Sequence, residues 1–240
     1  MSDIIYGKNS FIEALRSDRI KEALVTKDCQ YIKDLEKKNI KYKIVDKKKL
    51  DILSKNGNHQ GCLAYTKEYK LATVKSMMKK ENGLIVLLDG LKDPHNLGAI
   101  IRTCECAGAD GLVYKKHNSV HLNDTVAKVA CGALEYVKVA EVTNMVNTIK
   151  ELKDNGYWVV GTDGSGNDLY NKIDYNMNVA LIIGSEGEGM SRLVKEECDF
   201  IVKMPMKGHI NSLNASVAAG IMIFNILDKR ENNYVSNKEL

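Results

Sequence analysis

The chain has 240 residues, 44% of them hydrophobic, and a formal net charge of +4. This length suits one large domain or two small ones, and no run approaches the roughly 20 apolar residues of a membrane span. The first residues lack the apolar segment of a secretory signal, and the six cysteines form neither a CxxC pair nor a zinc spacing. We therefore expect a cytoplasmic protein with reduced thiols, without membrane association.

The charge is unevenly distributed along the chain. The first 80 residues carry 17 Lys and 2 Arg against 10 Asp and Glu, whereas the remainder carries 16 basic and 21 acidic side chains. Glycine marks the same division, since fifteen of the eighteen glycines lie beyond residue 80. A basic first module favours binding of a polyanion such as RNA, with a solvated lysine surface as the alternative.

Short alternating elements predict a small α/β domain over residues 1–70. In chain order they are a helix in NSFIEALRS capped by Asn9, a strand in IKEALVTKD, a helix in CQYIKDLEKKN, and strands in IKYKIVD and GCLAYTKEY. Residues 71–82 then form a linker with some helical character. The first module is therefore predicted to fold separately from the second.

Residues 83–240 alternate more regularly between apolar strands and helical patterns. The candidate strands lie in GLIVLLDGL, GLVYKK, EYVKVAEV, YWVVGTDG, VALIIGSEG and FIVKMPM, and the helices in LGAIIRTCECAG, VNTIKELKDNG and MSRLVKEECD. This alternation predicts a parallel sheet covered on both faces. Periodicity alone favours an unknotted, doubly wound arrangement.

Ligands of open parallel sheets bind beyond the carboxyl ends of the strands. The first strand of the second module lacks the GxGxxG of a dinucleotide-binding turn, which argues against a nicotinamide dehydrogenase. Three later strands lead into GTDGSG, GSEGEGM and MPMKGHINSLNAS, whose glycines allow close approach to a ligand. Both prolines, Pro94 and Pro205, lie in strand-end loops. These loops favour a preformed pocket over ordinary turns.

Three segments of the second module carry the most specific pattern of the chain. They are DPHNLGAIIRTCECAGADGLV, LIIGSEGEGMS and MPMKGHINSLNASVAAGIMIF, within about residues 83–228. In order and spacing they resemble the three motifs of the SpoU branch of the SPOUT RNA methyltransferases. IYGKNSFIEAL, NHQGCLAY and VAKVACGALEYVKVAEVTN resemble the members of this branch that methylate a 23S rRNA guanosine, in which a ribosomal-protein-like RNA-binding domain comes first.

The resemblance implies properties beyond the reach of periodicity. Such enzymes bind S-adenosylmethionine in a deep trefoil knot at the carboxyl end of the sheet and work as homodimers. They transfer the methyl group to a ribose 2′-oxygen of RNA. The resemblance therefore replaces the unknotted sheet by a knotted one and implies an RNA substrate, with 23S rRNA favoured.

The resemblance also implies roles for individual residues. Arg102 is the expected catalytic arginine; because a guanidinium stays charged, we favour phosphate anchoring and stabilisation of a forming alkoxide. A structural ion pair is the alternative. Asn96 is expected in the catalytic centre, with a helix cap as its alternative. Glu186 is expected to orient the substrate or act as an acid, and otherwise to favour a helix dipole.

The SLNAS segment raises the same choice between structure and function. Ser212 and Asn214 match a motif pair that lies beside the methyl donor and the target ribose, and such residues also cap helices. We expect both roles, at the start of a buried helix over 217–227. The donor itself is expected to contact main-chain groups. By resemblance these belong to Gly184, Met204 and Leu213, with a contribution from Thr162.

No metal is expected. His117 and His121 have an i, i+4 spacing, but NSV between them is a poor helix and no HExxH glutamate is present. Within the RNA methyltransferases, a tRNA ribose methyltransferase and a ribosomal adenosine methyltransferase remain as alternatives to the guanosine enzyme. An RNA-binding protein with an inactive methyltransferase domain is the alternative from another class, although all five catalytic candidates are present.

Overall fold

A computed structural model describes residues 3–236, with side chains from 4 to 231. Within that range, none of the helices combines the length and apolarity that a membrane crossing requires. The elements, in chain order, are β1 Asp3–Tyr6, α1 Lys8–Arg16, β2 Ile20–Val25, α2 Ile32–Lys37, β3 Lys41–Ile44, α3 Lys47–Leu53, β4 Cys62–Thr66, β5 Leu84–Asp89, α4 Pro94–Cys106, β6 Gly111–Lys115, α5 Asp124–Val129, β7 Val139–Val142, α6 Met145–Asp154, β8 Tyr157–Thr162, β9 Asp168–Leu169, β10 Asn178–Gly184, α7 Arg192–Glu196, β11 Phe200–Lys203 and α8 Ala215–Ser236. Two short 3₁₀ helices cover Val74–Met77 and Ala133–Glu135.

The first compact unit comprises Met1–Lys70 together with Leu122–Tyr136. Its four-stranded sheet has the order β1-β4-β2-β3; β2 and β3 pair in parallel, and the other two pairs are antiparallel. Side-chain contacts hold the later segment to α1 and the turn after it, among them an ion pair of 2.8 Å between Arg19 and Glu135. The Ser17 hydroxyl donates to Glu135 at 2.7 Å, and the Tyr136 hydroxyl donates to Glu13.

The first unit differs from the sequence prediction in three elements. Strand β1 and helix α3 are absent from the prediction, and α1 begins at Lys8 with Gly7 in the cap position, so the predicted Asn9 cap is wrong. The lysine run at the start of α3 hides its helical pattern, and the Asp46 side chain caps it by accepting from the Lys49 amide. The helix predicted in CQYIKDLEKKN and the three predicted strands are confirmed as α2, β2, β3 and β4.

The second compact unit comprises Leu71–His121 and Val137–Leu240. Its seven-stranded sheet has the order β7-β6-β5-β10-β8-β11-β9, and every pair in it is parallel. All six predicted strands are present, and the two-residue β9 is an addition to them. The central strands β5 and β10 are buried along their whole length, as expected of a sheet covered on both faces. The predicted α/β class with a parallel sheet is therefore confirmed.

Helix α8 is less buried than its composition predicts. Four of its apolar side chains are fully buried: Ala219, Met222, Ile223 and Ile226. Three others, spaced four and three residues apart, are exposed: Val217, Ile221 and Phe224 are 49%, 37% and 50% exposed. The spacing of the exposed residues places them on one face of the helix. The sequence correctly indicates a helix that is apolar nearly all round, yet a single chain covers only one side of it.

Candidate active site

A cleft of about 560 Å³ opens at the carboxyl ends of three neighbouring strands. These strands, β10, β8 and β11, lie side by side in the sheet, so the loops that come after them meet at one edge. We call this the strand-end cleft. Its volume falls within the range of ligand pockets, roughly 300–1,000 Å³. The cleft therefore lies at the edge of the sheet where the glycine-rich loops predicted a ligand.

The loop after β10 folds back on itself to form one wall of the cleft. Ser185 and Gly189 exchange two main-chain hydrogen bonds of 2.9 and 3.0 Å, which leaves Glu186, Gly187 and Glu188 at the tip. The returning chain passes very close to Gly184, where an added Cβ would lie 2.3 Å from the Gly189 carbonyl carbon. Glycine is required at position 184 because any side chain would displace this loop.

Three polar side chains from distant parts of the chain meet beside the cleft. The Asn96 amide nitrogen donates to Glu186 Oε1 at 2.8 Å, and the Asn214 amide nitrogen donates to the same oxygen at 2.8 Å. Asn214 Nδ2 also donates to Asn96 Oδ1 at 2.9 Å. These bonds link α4, the loop after β10 and the start of α8. The Glu186 carboxylate is consequently held in one orientation although its residue is exposed.

Asn214 also caps α8. Its Oδ1 accepts from the Ser216 amide at 2.9 Å, from the Ser216 hydroxyl at 2.6 Å and from the Val217 amide at 3.3 Å. Both functional groups of the Asn214 side chain are therefore engaged within the protein. This arrangement joins structure and site: the cap fixes the start of the helix, and the amide nitrogen positions Glu186.

The structure also decides whether Asn96 and Glu186 serve as helix-end residues. The cap of α4 is Asp93, whose side chain accepts from the His95 amide at 2.9 Å, so Asn96 lies inside the first turn and is not the cap. Glu186 Oε1 lies 3.4 Å from the amide nitrogen of Ala215, the first residue of α8. A carboxylate at that position favours the positive end of a helix dipole, although the helix is α8 and not the one next to Glu186 in sequence.

Seven of the nine predicted site residues line the strand-end cleft. They are Thr162, Gly184, Glu186, Met204, Ser212, Leu213 and Asn214. Asn96 is only 4% exposed and lies behind the lining, in contact with it through Glu186 and Asn214. Arg102 is exposed on α4 and does not line the cleft of its own chain. The structure thus brings eight of the predicted residues together and leaves Arg102 apart.

A buried carboxylate outside the predicted set anchors the far end of the loop after β10. Asp89, at the end of β5, accepts from the Ser191 amide at 2.7 Å and from Lys115 Nζ at 2.8 Å. Burial raises the pKa of Asp89, but the hydrogen bonds and charge of Lys115 and Ser191 outweigh it, so the pKa lies below its usual value. The available signal in the sequence was a carboxylate at the end of an otherwise apolar strand.

A second carboxylate outside the predicted set orders the loop after β8. Asp163 lines the cleft and forms an ion pair with Lys195 at 3.0 Å, while the Ser165 hydroxyl donates to it at 2.6 Å. Burial raises the pKa of Asp163, but the bonds from Ser165 and Lys195 lower it by more, and the net pKa is below normal. Asp163 therefore stays ionised at neutral pH. The signal in the sequence that could have identified Asp163 was again a carboxylate at the end of a predicted strand segment, YWVVGTDG.

Comparison with known proteins identifies the family of this site. Residues 83–224 match the SpoU rRNA Methylase family, and residues 4–72 match the domain described as RNA 2′-O ribose methyltransferase substrate binding. The chain belongs to the SpoU/TrmH family of RNA methyltransferases. It is 45% identical over 240 residues to YacO of Bacillus subtilis (strain 168), which is assigned to the TrmH family of tRNA/rRNA methyltransferases; the match covers 95% of this chain and 96% of YacO.

Two solved methyltransferase structures share the fold over nearly the whole chain. The SpoU methyltransferase AviRb from Streptomyces viridochromogenes, in complex with AdoMet, has a TM-score of 0.84 at 23% identity, covering 95% of this chain and 89% of AviRb. The AdoMet-bound rRNA methyltransferase from Sinorhizobium meliloti has a TM-score of 0.81 at 26% identity, covering 94% of this chain and 86% of that protein. The α/β fold, including the first unit, is therefore shared with these two structures over nearly the whole chain.

The cofactor of this SpoU/TrmH protein is S-adenosylmethionine, and the strand-end cleft fits it. The lining combines apolar side chains such as Leu213 with polar groups such as the Thr162 hydroxyl, as a ligand with an aromatic base and a polar tail requires. The carboxylates of Asp163, Glu186 and Glu188 line the same cleft and suit a cationic sulfonium. Within the described part of the chain, no group of three or more His, Cys, Asp or Glu is arranged to hold a metal ion.

Proposed function

We propose that this RNA ribose methyltransferase methylates the 2′-oxygen of a guanosine in 23S rRNA. The observation that carries the catalytic part of the proposal is the hydrogen-bonded group of Asn96, Glu186 and Asn214 beside the strand-end cleft. It supports catalysis because a fixed carboxylate next to a donor site can orient a hydroxyl group.

When bound, S-adenosylmethionine supplies an electrophilic methyl carbon on a sulfonium sulfur. The chain's task is to hold a ribose 2′-hydroxyl in line with that carbon and to manage the proton that the hydroxyl loses. We assign Glu186 to the orientation of the hydroxyl. Its Oε1 accepts from Asn96 and Asn214, and we assign its Oε2 to the substrate.

We assign Asn96 and Asn214 to the positioning of Glu186. We place Ser212, which lines the cleft, beside the methyl donor and the target ribose. Asn214 uses Oδ1 for the cap of α8 and Nδ2 for Glu186 and Asn96, so its effect on the reaction passes through Glu186.

The methyl donor is proposed to contact main-chain groups of Gly184, Met204 and Leu213, together with Thr162. All four residues line the strand-end cleft. Main-chain recognition explains why apolar residues such as Met204 and Leu213 belong to a site for a polar ligand.

A homodimer would account for the position of Arg102. The exposed apolar face of α8, formed by Val217, Ile221 and Phe224, is typical of a covered helix surface. Helix α4 packs against α8 within the chain, so a second copy on this face would have its own α4 nearby. We propose that the partner's Arg102 serves the strand-end cleft and stabilises the phosphate and the forming alkoxide.

The 23S rRNA assignment rests on the first module. Its lysine-rich composition and its match to a substrate-binding domain support an extended RNA surface beyond the reacting nucleotide. A trefoil knot, a homodimer and a cytoplasmic location complete the proposal, by likeness to the family. A tRNA ribose substrate is the second candidate, because the YacO family description includes both tRNA and rRNA.

The test is methyl transfer from labelled S-adenosylmethionine to two pools, unmodified 23S rRNA and unmodified tRNA, with nuclease mapping of the labelled nucleotide. Label in 2′-O-methylguanosine of 23S rRNA alone supports the proposal. Label in tRNA reassigns the substrate, and label in another nucleoside overturns the guanosine assignment. Label in neither pool, with the donor bound, overturns the catalytic function.

A further inference from the structure

A second cavity lies in the first compact unit, outside the active site. It has a volume of about 630 Å³ and is lined by the loop after β2, by the loop between α3 and β4, and by Lys8, Lys47 and Asp51 from the neighbouring helices. We call it the first-unit pocket. A cavity of this size falls within the range of ligand pockets, roughly 300–1,000 Å³.

A buried histidine, His59, forms the floor of the first-unit pocket. His59 is 4% exposed and both of its ring nitrogens are engaged: Nδ1 lies 3.0 Å from the Gly61 amide nitrogen, and Nε2 lies 3.0 Å from Asp51 Oδ1. Because Nδ1 accepts from an amide, Nε2 carries the hydrogen and donates to Asp51. This side chain therefore ties α3 to the loop before β4.

The same loop adopts an unusual backbone. Lys55, Asn56 and Gln60 have positive φ angles of 53°, 59° and 50°. Non-glycine residues in this region are uncommon, and such conformations cluster at functional sites. Gln60 is held in place because its Oε1 accepts from the Lys8 amide at 3.0 Å. The loop is thus preformed, with its polar side chains arranged before any ligand binds.

An aromatic ring at the pocket is also held in place. The ring of Tyr31 is half-buried and packs against the buried Phe11, with 5.6 Å between the ring centroids. Gln30 Nε2 donates to the Tyr31 hydroxyl at 2.5 Å. A fixed ring loses little side-chain freedom when a flat ligand stacks on it.

The chemistry of the lining points to a nucleobase flanked by phosphates. Gln30 and Asn58 are exposed amides that can read base edges beside the Tyr31 ring. Lys8 and Lys47 are exposed cations at the same cavity. The nearby carboxylates of the lining, such as Asp28, would repel an isolated phosphate, whereas a carboxylate readily accepts from the amino group of a base.

We propose that the first-unit pocket binds an unpaired nucleotide of the RNA substrate, with its base stacked on Tyr31 and its phosphates beside Lys8 and Lys47. This inference rests on the proposed function, since it requires an RNA substrate. It goes further by locating the contact within the module and by naming a single-stranded element. The two contacts can be told apart by experiment: loss of base stacking lowers the RNA affinity, whereas loss of a lysine–phosphate contact also lowers its salt dependence.

The experiment measures the affinity of the full-length protein for unmodified 23S rRNA transcript in two matched pairs of variants. Tyr31→Ala is compared with Tyr42→Ala, a half-buried tyrosine of the same unit outside the pocket. Lys47→Ala is compared with Lys48→Ala, an exposed neighbour on α3 that does not line the pocket. Thermal unfolding and S-adenosylmethionine affinity are measured for all four variants.

Tyr31→Ala is expected to weaken RNA binding about tenfold. Lys47→Ala is expected to weaken it about threefold and to reduce the slope of log affinity against log salt by about one. The two control variants stay within about twofold of the unaltered protein, and donor affinity is unchanged throughout. Ultraviolet crosslinking of the unaltered protein to the transcript, with mass spectrometry of the products, is expected to mark the peptide that contains Tyr31.

Equal RNA affinity in the pocket and control variants of folded protein would overturn the pocket assignment, and methyl transfer by the unaltered protein would then show that the proposed function survives. No methyl transfer and no RNA binding by the unaltered protein would remove both proposals together.

Discussion

The strand-end cleft and the first-unit pocket are built in opposite ways. The cleft depends on contacts between residues 90 and 118 positions apart, such as those of Asn96 with Glu186 and with Asn214. The floor of the pocket depends on contacts within one short stretch, such as that of Asp51 with His59, eight positions apart. Reaction geometry therefore relies on distant parts of the second unit, whereas the floor of the pocket relies on contacts that are local in sequence.

The largest expected effect comes from the carboxylate at the centre of the cleft. Glu186→Gln should lower the rate of methyl transfer at least about 100-fold. A glutamine has only one acceptor oxygen; if that oxygen accepts from Asn96 and Asn214, the amide NH2 group faces the ribose and cannot accept from its hydroxyl. The measurement is single-turnover transfer with saturating donor and RNA. Glu81→Gln, an exposed position before β5, is the control. A Glu186→Gln rate near that of the control would break the assignment of the cleft to catalysis.

A similar loss of transfer rate is expected when Arg102 is replaced, and a mixed dimer of two variants provides the test. Arg102→Ala should lower transfer about 100-fold or more while donor affinity stays nearly unchanged, because the arginine acts on the RNA phosphate and the forming alkoxide. Co-expression of Arg102→Ala with Glu186→Gln protein should restore part of the activity, since a mixed dimer has one site with both residues intact. If the mixed protein stays as inactive as its components, Arg102 acts within its own chain or not at all.

A smaller effect is expected at the loop that forms the cleft wall. Gly184→Ala places a Cβ 2.3 Å from the Gly189 carbonyl carbon, so the loop must shift, at a cost of about 1–3 kcal/mol in unfolding free energy. Donor affinity should fall about tenfold or more in calorimetric titration, because the shifted loop no longer fits the donor. Gly208→Ala is the control, because a Cβ there meets nothing within 4 Å. Unchanged donor affinity in Gly184→Ala would argue against this loop as a donor contact.

The smallest effect is expected at Asp89. Asp89→Asn removes the charge that pairs with Lys115 and weakens the bond to Ser191, so stability at neutral pH should fall by about 1–3 kcal/mol. The pKa of Asp89 is lowered in the folded protein, so its contribution is present above the ordinary value of 3.8 and is lost as the pH falls through the folded pKa.

Denaturant unfolding at a series of pH values checks this expectation. The stability difference between the unaltered protein and Asp89→Asn should shrink as the solution becomes acidic. Asp154→Asn, an exposed position at the end of α6, should differ from the unaltered protein by less than about 0.5 kcal/mol. A pH-independent difference at Asp89 would show that its charge has no part in holding the loop.

Much of the second unit could be predicted from sequence because buried parallel strands leave continuous apolar runs. All six predicted strands are present. The first unit was harder, because the lysines of α3 conceal its helical periodicity and β1 is only four residues long. The placement of Leu122–Tyr136 with the first unit has no local signal at all, since it depends on side chains such as Ser17, 118 positions away from its partner Glu135.

The sequence by itself determined the family, the parallel sheet and seven of the residues that line the cleft. These depend on local composition and on motifs, which can be recognised without knowledge of distances. Only the tertiary structure decided that Asn96 positions Glu186 and does not cap α4, that Arg102 lies outside its own chain's cleft, and that Asp89 anchors the loop. The physical reason is that hydrogen bonds between distant segments depend on three-dimensional placement, which no short pattern of residues encodes.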